Sequence, residues 1–254
     1  MSFEVDPGAY QRFMGRLSEP LATEFVGWVG VRAGQRALDV GCGPGALTAR
    51  LVDVLGPGAV SAVDPSKSFA DACRALHPGV EVREGSAEAL PHASGSFDVV
   101  LAQLVVHFMT DPVAGLREMG RVARPGGVVA ACVWDHHGER GPLGHFWRAA
   151  QELDPGAPGE SLLPGTREAD LAQLFAAAGL RSVEAGELTV RTHCRDFDDW
   201  WEPFTLGVGP AGDYVARLEP SAREALRGHY EAAMPRGPFD VVGTAWAAKG
   251  TPLD

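Results

Sequence analysis

Lysine is nearly missing from this chain. Lys67 and Lys249 are the only two in 254 residues, and the formal net charge is −11. Such a balance offers no broad cationic face to nucleic acid or to an anionic membrane. Cysteine is sparse as well. Cys42, Cys73, Cys132 and Cys194 stand far apart with no CxxC pair, which argues against zinc and against a disulfide framework, so no metal site is expected. Cys42 and Cys132 sit in apolar strand contexts and read as small core residues. No apolar run approaches the roughly 20 residues of a membrane span. The opening MSFEVDPGAY has no signal-peptide pattern, so the expected compartment is the cytoplasm. Internal repeats and low-complexity tracts are absent. What remains is 45% hydrophobic and 22% charged, an ordinary globular composition. The length suits one α/β domain with elaborations, or a domain plus a cap.

One stretch carries most of the chemistry: ALDVGCGPGALT, residues 37 to 48. Ala37, Leu38 and Val40 read as a strand covered on both faces. Gly41, Gly43 and Gly45 follow, and then a helical run from Ala46. Glycine permits φ > 0 and lets a ligand approach the backbone closely, and the helix start offers unpaired N–H groups. The pattern points to a nucleotide-like ligand at the end of a first parallel strand. Its identity stays open here. Gly41-x-Gly43-x-x-Ala46 fits the dinucleotide fingerprint. Asp39-x-Gly41-x-Gly43-x-Gly45 fits the loop that binds S-adenosylmethionine (SAM). A tight turn with no ligand also fits. Asp64, 19 residues past Gly45, ends a second strand, where a carboxylate can take both ribose hydroxyls. NAD and SAM sites share that feature.

The rest of the chain alternates. Strands are expected at 59–64, 80–84, 97–102 and 128–134, and helices at 66–76 and 111–124. Asp111 and Pro112 open the second helix and Pro125-Gly126-Gly127 stop it. A helix is expected over 9–29, another over 167–178, strands at 181–190 and 239–248, and further helices within 196–235. Strict β/α alternation implies a parallel sheet with helices on both faces and right-handed crossovers. Residues 135–166 are rich in glycine and proline and contain three histidines.

Four blocks separate the ligand readings: ALDVGCGPGALT, VSAVDPS (60–66), REGSAEALPHASGSFDVVLAQLVVHFMTDP (83–112) and REMGRVARPGGVVAA (117–131). In this order and spacing the chain resembles the class I SAM-dependent methyltransferases, and among them the small-molecule enzymes of the ubiquinone-biosynthesis-like type. The resemblance covers roughly residues 35–135. It implies an α/β, Rossmann-like, seven-stranded and mostly parallel sheet of order 3-2-1-4-5-7-6, with the last strand antiparallel. On that frame residues 1–34 are an N-terminal helical lid. Residues 35–254 are the SAM-binding domain, with cap insertions at about 135–166 and 192–235.

The resemblance also implies roles. Gly41 and Gly43 pack on the cofactor. Asp39 holds the loop and the methionine amino end, and Asp64 takes the ribose. Pro65 and Ser66 flank the adenine, which Ser86 and the N–H of Ala87 read at its edge. Many relatives have Asp where this chain has Ser86, so adenine contact is expected to be weaker. Gln103 offers its backbone carbonyl to the methionine ammonium, and Leu104 walls the site. The segment from Ala9 to Arg16 is similar to the lid of these enzymes. There Tyr10 is expected over the sulfonium, since an aromatic face attracts a cation, and Arg16 on the SAM carboxylate. The alternative is an ordinary amphipathic helix with a surface arginine.

The expected reaction is in-line displacement of a methyl group onto a small organic molecule, leaving S-adenosylhomocysteine (SAH). A general base is optional. His107, past the fourth strand, and Asp135, His136 and His137, past the fifth, are the candidates, because ligands bind outside the carboxyl ends of such strands. The aromatics of the cap (His145, Phe146 and Trp147; Phe197, Trp200, Trp201 and Phe204) either wall a pocket for a planar molecule or simply pack the cap onto the core, and the second fate fits most of them. Two other classes compete. A NAD(P) oxidoreductase would show a Tyr-x-x-x-Lys pair, which is absent, and a non-catalytic SAM-fold protein would keep the loop without the chemistry. Acidity disfavours tRNA as a substrate. No Asn-Pro-Pro-Tyr-type element follows strand four. The acceptor atom and the oligomeric state are not written in these residues.

Overall fold

Strand β1 (Ala37–Val40) is buried at all four positions and is flanked by parallel neighbours on both sides, β2 (Val60–Asp64) and β4 (Phe97–Gln103). The computed structural model describes residues 6–252. Its sheet has seven strands in the order β3-β2-β1-β4-β5-β7-β6. β3 is Glu81–Glu84, β5 Ala123–Trp134, β6 Arg181–Cys194 and β7 Phe239–Thr251. β7 runs antiparallel to both β5 and β6. This is the order and the single reversed strand that the resemblance implies.

Side chains alternate across a strand, and the two faces feed separate cores. Val99 and Leu101 of β4 join one cluster, Val100 and Ala102 the other. The first face is covered by α2 (Arg16–Val29), α3 (Ala46–Leu55) and α4 (Lys67–Leu76), through residues such as Leu21, Phe25, Leu51 and Ala70. The second is covered by α5 (Pro112–Val122) and α7 (Asp170–Ala177), through Leu116, Met119 and Phe175. Asp111 caps α5 by accepting from Ala114 N at 2.9 Å. The helix stops at Val122, and β5 starts at once. Its register slips between Phe97 and Val99, because Arg124 to Gly127 bulge out. A Cβ at Gly127 would lie 2.9 Å from the carbonyl oxygens of Arg124 and Asp98, so the glycines serve this bulge.

The N-terminal segment divides in two. α1 (Pro7–Tyr10) and a π-helical turn (Gln11–Gly15) lie at the cleft, while α2 is a core helix whose Leu17, Leu21, Ala22 and Phe25 are fully enclosed. Gly30, left-handed at φ 81°, ends it.

β6 and β7 run longer than the sequence suggests. Their pairing extends out to Cys194↔Phe239. On this extension sits a cap built from α6 (Gly144–Leu153), α8 (Phe197–Trp201), α9 (Gly209–Arg217) and α10 (Pro220–Ala232). Phe204 is its hub. Its ring lies 4.6 Å from Phe146, 4.7 Å from Phe13 and 5.5 Å from Trp200, in the offset and edge geometries aromatic pairs prefer. Trp200 Nε1 donates to Tyr230 Oη at 2.8 Å inside the cluster. Phe146, Trp147, Phe197, Trp200, Trp201 and Phe204 therefore hold the cap together rather than wall a pocket. Phe204→Ala should lower the unfolding free energy by about 3–5 kcal/mol, measured by urea denaturation.

Candidate active site

The β1–α3 turn is fixed by backbone bonds to the end of β2. Gly41 N and Cys42 N both donate to Val63 O, at 2.7 and 3.0 Å, and Gly43 N donates to Asp64 Oδ2 at 2.8 Å. Gly41, Gly43 and Gly45 have φ of 71°, 52° and 107°, which explains the residue type. Their surroundings differ. A Cβ at Gly41 would meet the Val105 side chain at 2.5 Å, and one at Gly45 the His77 ring at 2.5 Å. A Cβ at Gly43 would meet nothing within 4 Å. Gly43 is thus the glycine whose bare face opens into the cleft.

Asp39 lies beneath this turn, 1% exposed, and accepts from Thr48 Oγ1 at 2.6 Å in the first turn of α3. Burial pushes its carboxyl up to about 7. Asp64 has both oxygens engaged by backbone, Oδ2 by Gly43 N and Oδ1 by Ser66 N at 2.8 Å. Burial raises its pKa, and these two bonds work against that.

A cleft of about 510 Å³ opens above the carboxyl ends of β1, β2, β4 and β5, within the roughly 300–1,000 Å³ usual for small-molecule sites. It brings together Tyr10, Gly41, Gly43, Asp64, Pro65, Ser86, Ala87, Gln103, Leu104, His107 and His136. Asp39 borders the small recess behind the loop. Tyr10 packs edge-on against Phe69 at 5.2 Å, and burial pushes its phenol up to about 12. Gln103 Nε2 donates to Ser18 O at 2.9 Å, tying β4 to α2, while its Oε1 is enclosed without a partner. Leu104 takes φ 61°, a left-handed conformation rare outside glycine and common at ligand sites.

Four expected residues point elsewhere. Arg16 donates to the carbonyls of Asp199 and His193 and to Asp199 Oδ2, at 2.9, 2.8 and 3.1 Å. Its guanidinium is committed to the cap and is not among the groups lining the cleft. His137 is exposed on the turn after β5 and faces away, its N–H on Thr166 O. Ser66 caps α4 by accepting from Phe69 N at 3.4 Å. Asp135 is spent on Gly138 N and Arg140 Nε, both at 2.7 Å.

Some of the lining was not anticipated. Phe13, Met14 and Phe69 supply apolar wall. Glu88 hydrogen-bonds Ser86 Oγ and accepts from Thr110 N at 2.9 Å and Asp111 N at 3.3 Å. Burial raises its pKa, but these bonds outweigh it and hold the carboxyl below its usual value. Ser86 thus has a carboxylate two residues away, supplying the charge it lacks. From the cap come Leu143, Glu160 and the start of α9, Val208 to Ala211. Burial keeps His107 and His136 well and clearly below the usual imidazole value, respectively, so both are neutral at pH 7.

A glycine turn open at Gly43, a carboxylate at the end of β2 and an orphaned amide oxygen on Gln103 form a cradle that suits an adenosyl amino acid. Comparison with known proteins agrees with it. Residues 38–131 match the family described as "Methyltransferase domain". An uncharacterized methyltransferase of Mycobacterium tuberculosis is 40% identical over 140 residues, covering 55% of this chain and 54% of that protein. The chain spans about half the length of the curated relatives it matches. Among solved structures, the YcgJ protein of Bacillus subtilis superposes with a TM-score of 0.61 at 16% identity, over 92% of this chain and 99% of that one. A phosphoethanolamine N-methyltransferase of Haemonchus contortus, solved with phosphomonomethylethanolamine and SAH, gives 0.61 at 16% identity, over 97% of this chain and 57% of that one. Residues 38–131 thus carry a methyltransferase domain, and the sheet around them has the fold of the class I SAM-dependent methyltransferases.

Two measurements test this site. Gly43→Ala should fold with a loss of about 1–2 kcal/mol for its left-handed backbone. Gly41→Ala should lose more, because its methyl collides with Val105, and urea unfolding reads both. For Asp39 the folded pKa lies above the unfolded value of about 4. Its contribution to stability is therefore full below about pH 4 and is lost as pH rises toward 7. The buried histidines contribute in the opposite sense, losing stability as pH falls below about 6.5. Wild type should lose stability relative to Asp39→Asn steadily from pH 4 to 7, and that relative loss isolates the first slope.

Proposed function

We propose that this class I methyltransferase domain transfers a methyl group from SAM to a small organic molecule held between the sheet and the cap, as in the ubiquinone-biosynthesis-like enzymes its four blocks resemble. The observation that carries the reading is one continuous cleft. The Gly43–Asp64 turn stands at one end of it, and the buried His107 and His136 at the other. When bound, SAM supplies an electrophilic methyl on a cationic sulfur.

The chain's own groups have distinct tasks. Asp64, with each oxygen holding one backbone N–H, retains acceptor capacity for the ribose hydroxyls. Glu88 and Ser86 stand where the adenine edge would lie. Tyr10, with Phe13 and Met14 of the following turn, closes the cleft from above, and its phenol stays protonated. Gln103 and Leu104 shape the floor at the reacting end. His107 and His136, neutral in their buried setting, are able to accept a proton from an acceptor. Apolar walls from Phe69, Trp134 and Val208 keep water away from the reacting atoms.

Calorimetric titration of SAM, SAH and NADH tests the reading. The two sulfur ligands should bind in the micromolar range and NADH should not. Asp64→Ala, with its fold checked by circular dichroism, should weaken both by about tenfold or more. NADH binding in place of SAM would reverse the assignment. A folded protein that binds none of the three would favour a non-catalytic role.

A further inference from the structure

The cap end of the cleft holds three titratable side chains in close company. His107, His136 and Glu160 are 4%, 6% and 4% exposed, and all three line the cavity. His107 Nδ1 and His136 Nε2 are enclosed with no hydrogen-bond partner. Buried polar atoms are almost always satisfied, so two orphaned ring nitrogens on one cavity point to something the cavity receives. The imidazole centroids are 5.9 Å apart. His136 Nε2 lies 3.9 Å from Glu160 Oε1, too long for a hydrogen bond but within strong coulombic reach. Glu160 Oε2 accepts from Trp147 Nε1 at 2.7 Å, which anchors the carboxylate to α6. Asp135, the other acid near His136, is already paired with Arg140 at 2.7 Å. Among the described residues, no lysine or arginine lines the cleft, whose other carboxylates are Asp64 and Glu88.

Resting on the methyl-transfer reading, we propose that His107, His136 and Glu160 form a proton-accepting seat, and that the acceptor is accordingly an X–H nucleophile, a hydroxyl or amine, bearing no carboxylate or phosphate. The chemistry requires a destination for one proton. As the X–C bond forms and the methyl–sulfur bond breaks, the electron pair stays on sulfur and the X–H proton must leave. A cluster of one carboxylate and two neutral imidazoles has formal charge −1, and one added proton makes it neutral. An imidazolium buried without Glu160 would lack its counter-charge. Glu160 is thus a positioning residue acting through the histidines. An anionic acceptor would meet three carboxylates and no fixed cation, which disfavours it electrostatically.

The test needs no natural substrate. The 254-residue chain is labelled with ¹⁵N, and the imidazole signals are assigned with His107→Asn and His136→Asn. Wild type, Glu160→Gln and Glu160→Asp are then titrated. Glutamine keeps an oxygen for the Trp147 indole, so charge is removed without that bond. The first protonation of the histidine pair should fall by about one pH unit or more in Glu160→Gln and by less in Glu160→Asp, which also carries the result should the glutamine variant not fold. Calorimetry with SAH runs alongside. An unmoved histidine titration in a variant that binds SAH like wild type sinks the seat and leaves the cofactor reading standing. A wild type that binds no SAH removes the reading beneath it. Methylation of a carboxylate or phosphate oxygen, undiminished in Glu160→Gln, also overturns the proposal.

Discussion

Val63 O accepts two successive backbone N–H groups, from Gly41 and Cys42, and the Asp64 carboxylate next to it accepts a third from Gly43. Three donors that a sharp turn would otherwise strand are satisfied by the end of the neighbouring strand. The rest of the site follows from this constraint. The chain can leave β1 with positive φ only because glycine stands at those positions. Asp64 is fixed because it is part of the turn's own bonding. α3 then starts directly over Asp39, whose carboxyl takes the Thr48 hydroxyl. A cleft-facing carboxylate and a load-carrying turn are the same few atoms.

Strands β1, β2, β4 and β5 were legible because they are parallel and largely enclosed, and such strands announce themselves as apolar runs, whereas β3, exposed at three of its four positions, gives only a weak signal. The extension of β6 to Cys194 was not, since its residues alternate in exposure and owe their order to β7 and to the cap. Arg16 shows a different limit. Its partner Asp199 lies 183 residues away, and local sequence cannot choose between a distant acid and a cofactor carboxylate. His136 and His137 show a third. The two are identical in type and adjacent in sequence, and only the course of the turn sends the first inward and the second out. Glu160 stands alone in a run of glycine and proline with no periodicity to mark it. Nothing short of the folded cap puts it beside His136.

The cap's aromatics reveal how labour is divided. Their rings are spent on one another around Phe204, and this packing joins the cap to the body of the protein through Phe13. Its contribution to the cleft comes instead from small or short groups at the start of α9, from Leu143, and from Glu160. A cap that presents small side chains leaves volume for an acceptor, and the few polar atoms left on that wall weigh heavily in what is admitted.

Polarity across the cleft then follows a gradient. At the β2 end the carboxylates of Asp64 and Glu88 are tied down by backbone N–H groups, and these bonds partly offset the cost of burial at Asp64 and outweigh it at Glu88. At the cap end one ring nitrogen of each histidine is enclosed without such a bond, and burial is the main cause that keeps the rings uncharged. A group held neutral by desolvation is poised in a way that a group held by hydrogen bonds is not. Bringing a compensating charge or a proton donor beside it changes its state, whereas the tied carboxylates stay as they are. On the proposed function, binding belongs to the end that is fixed. Proton handling belongs to the end whose charge is free to change.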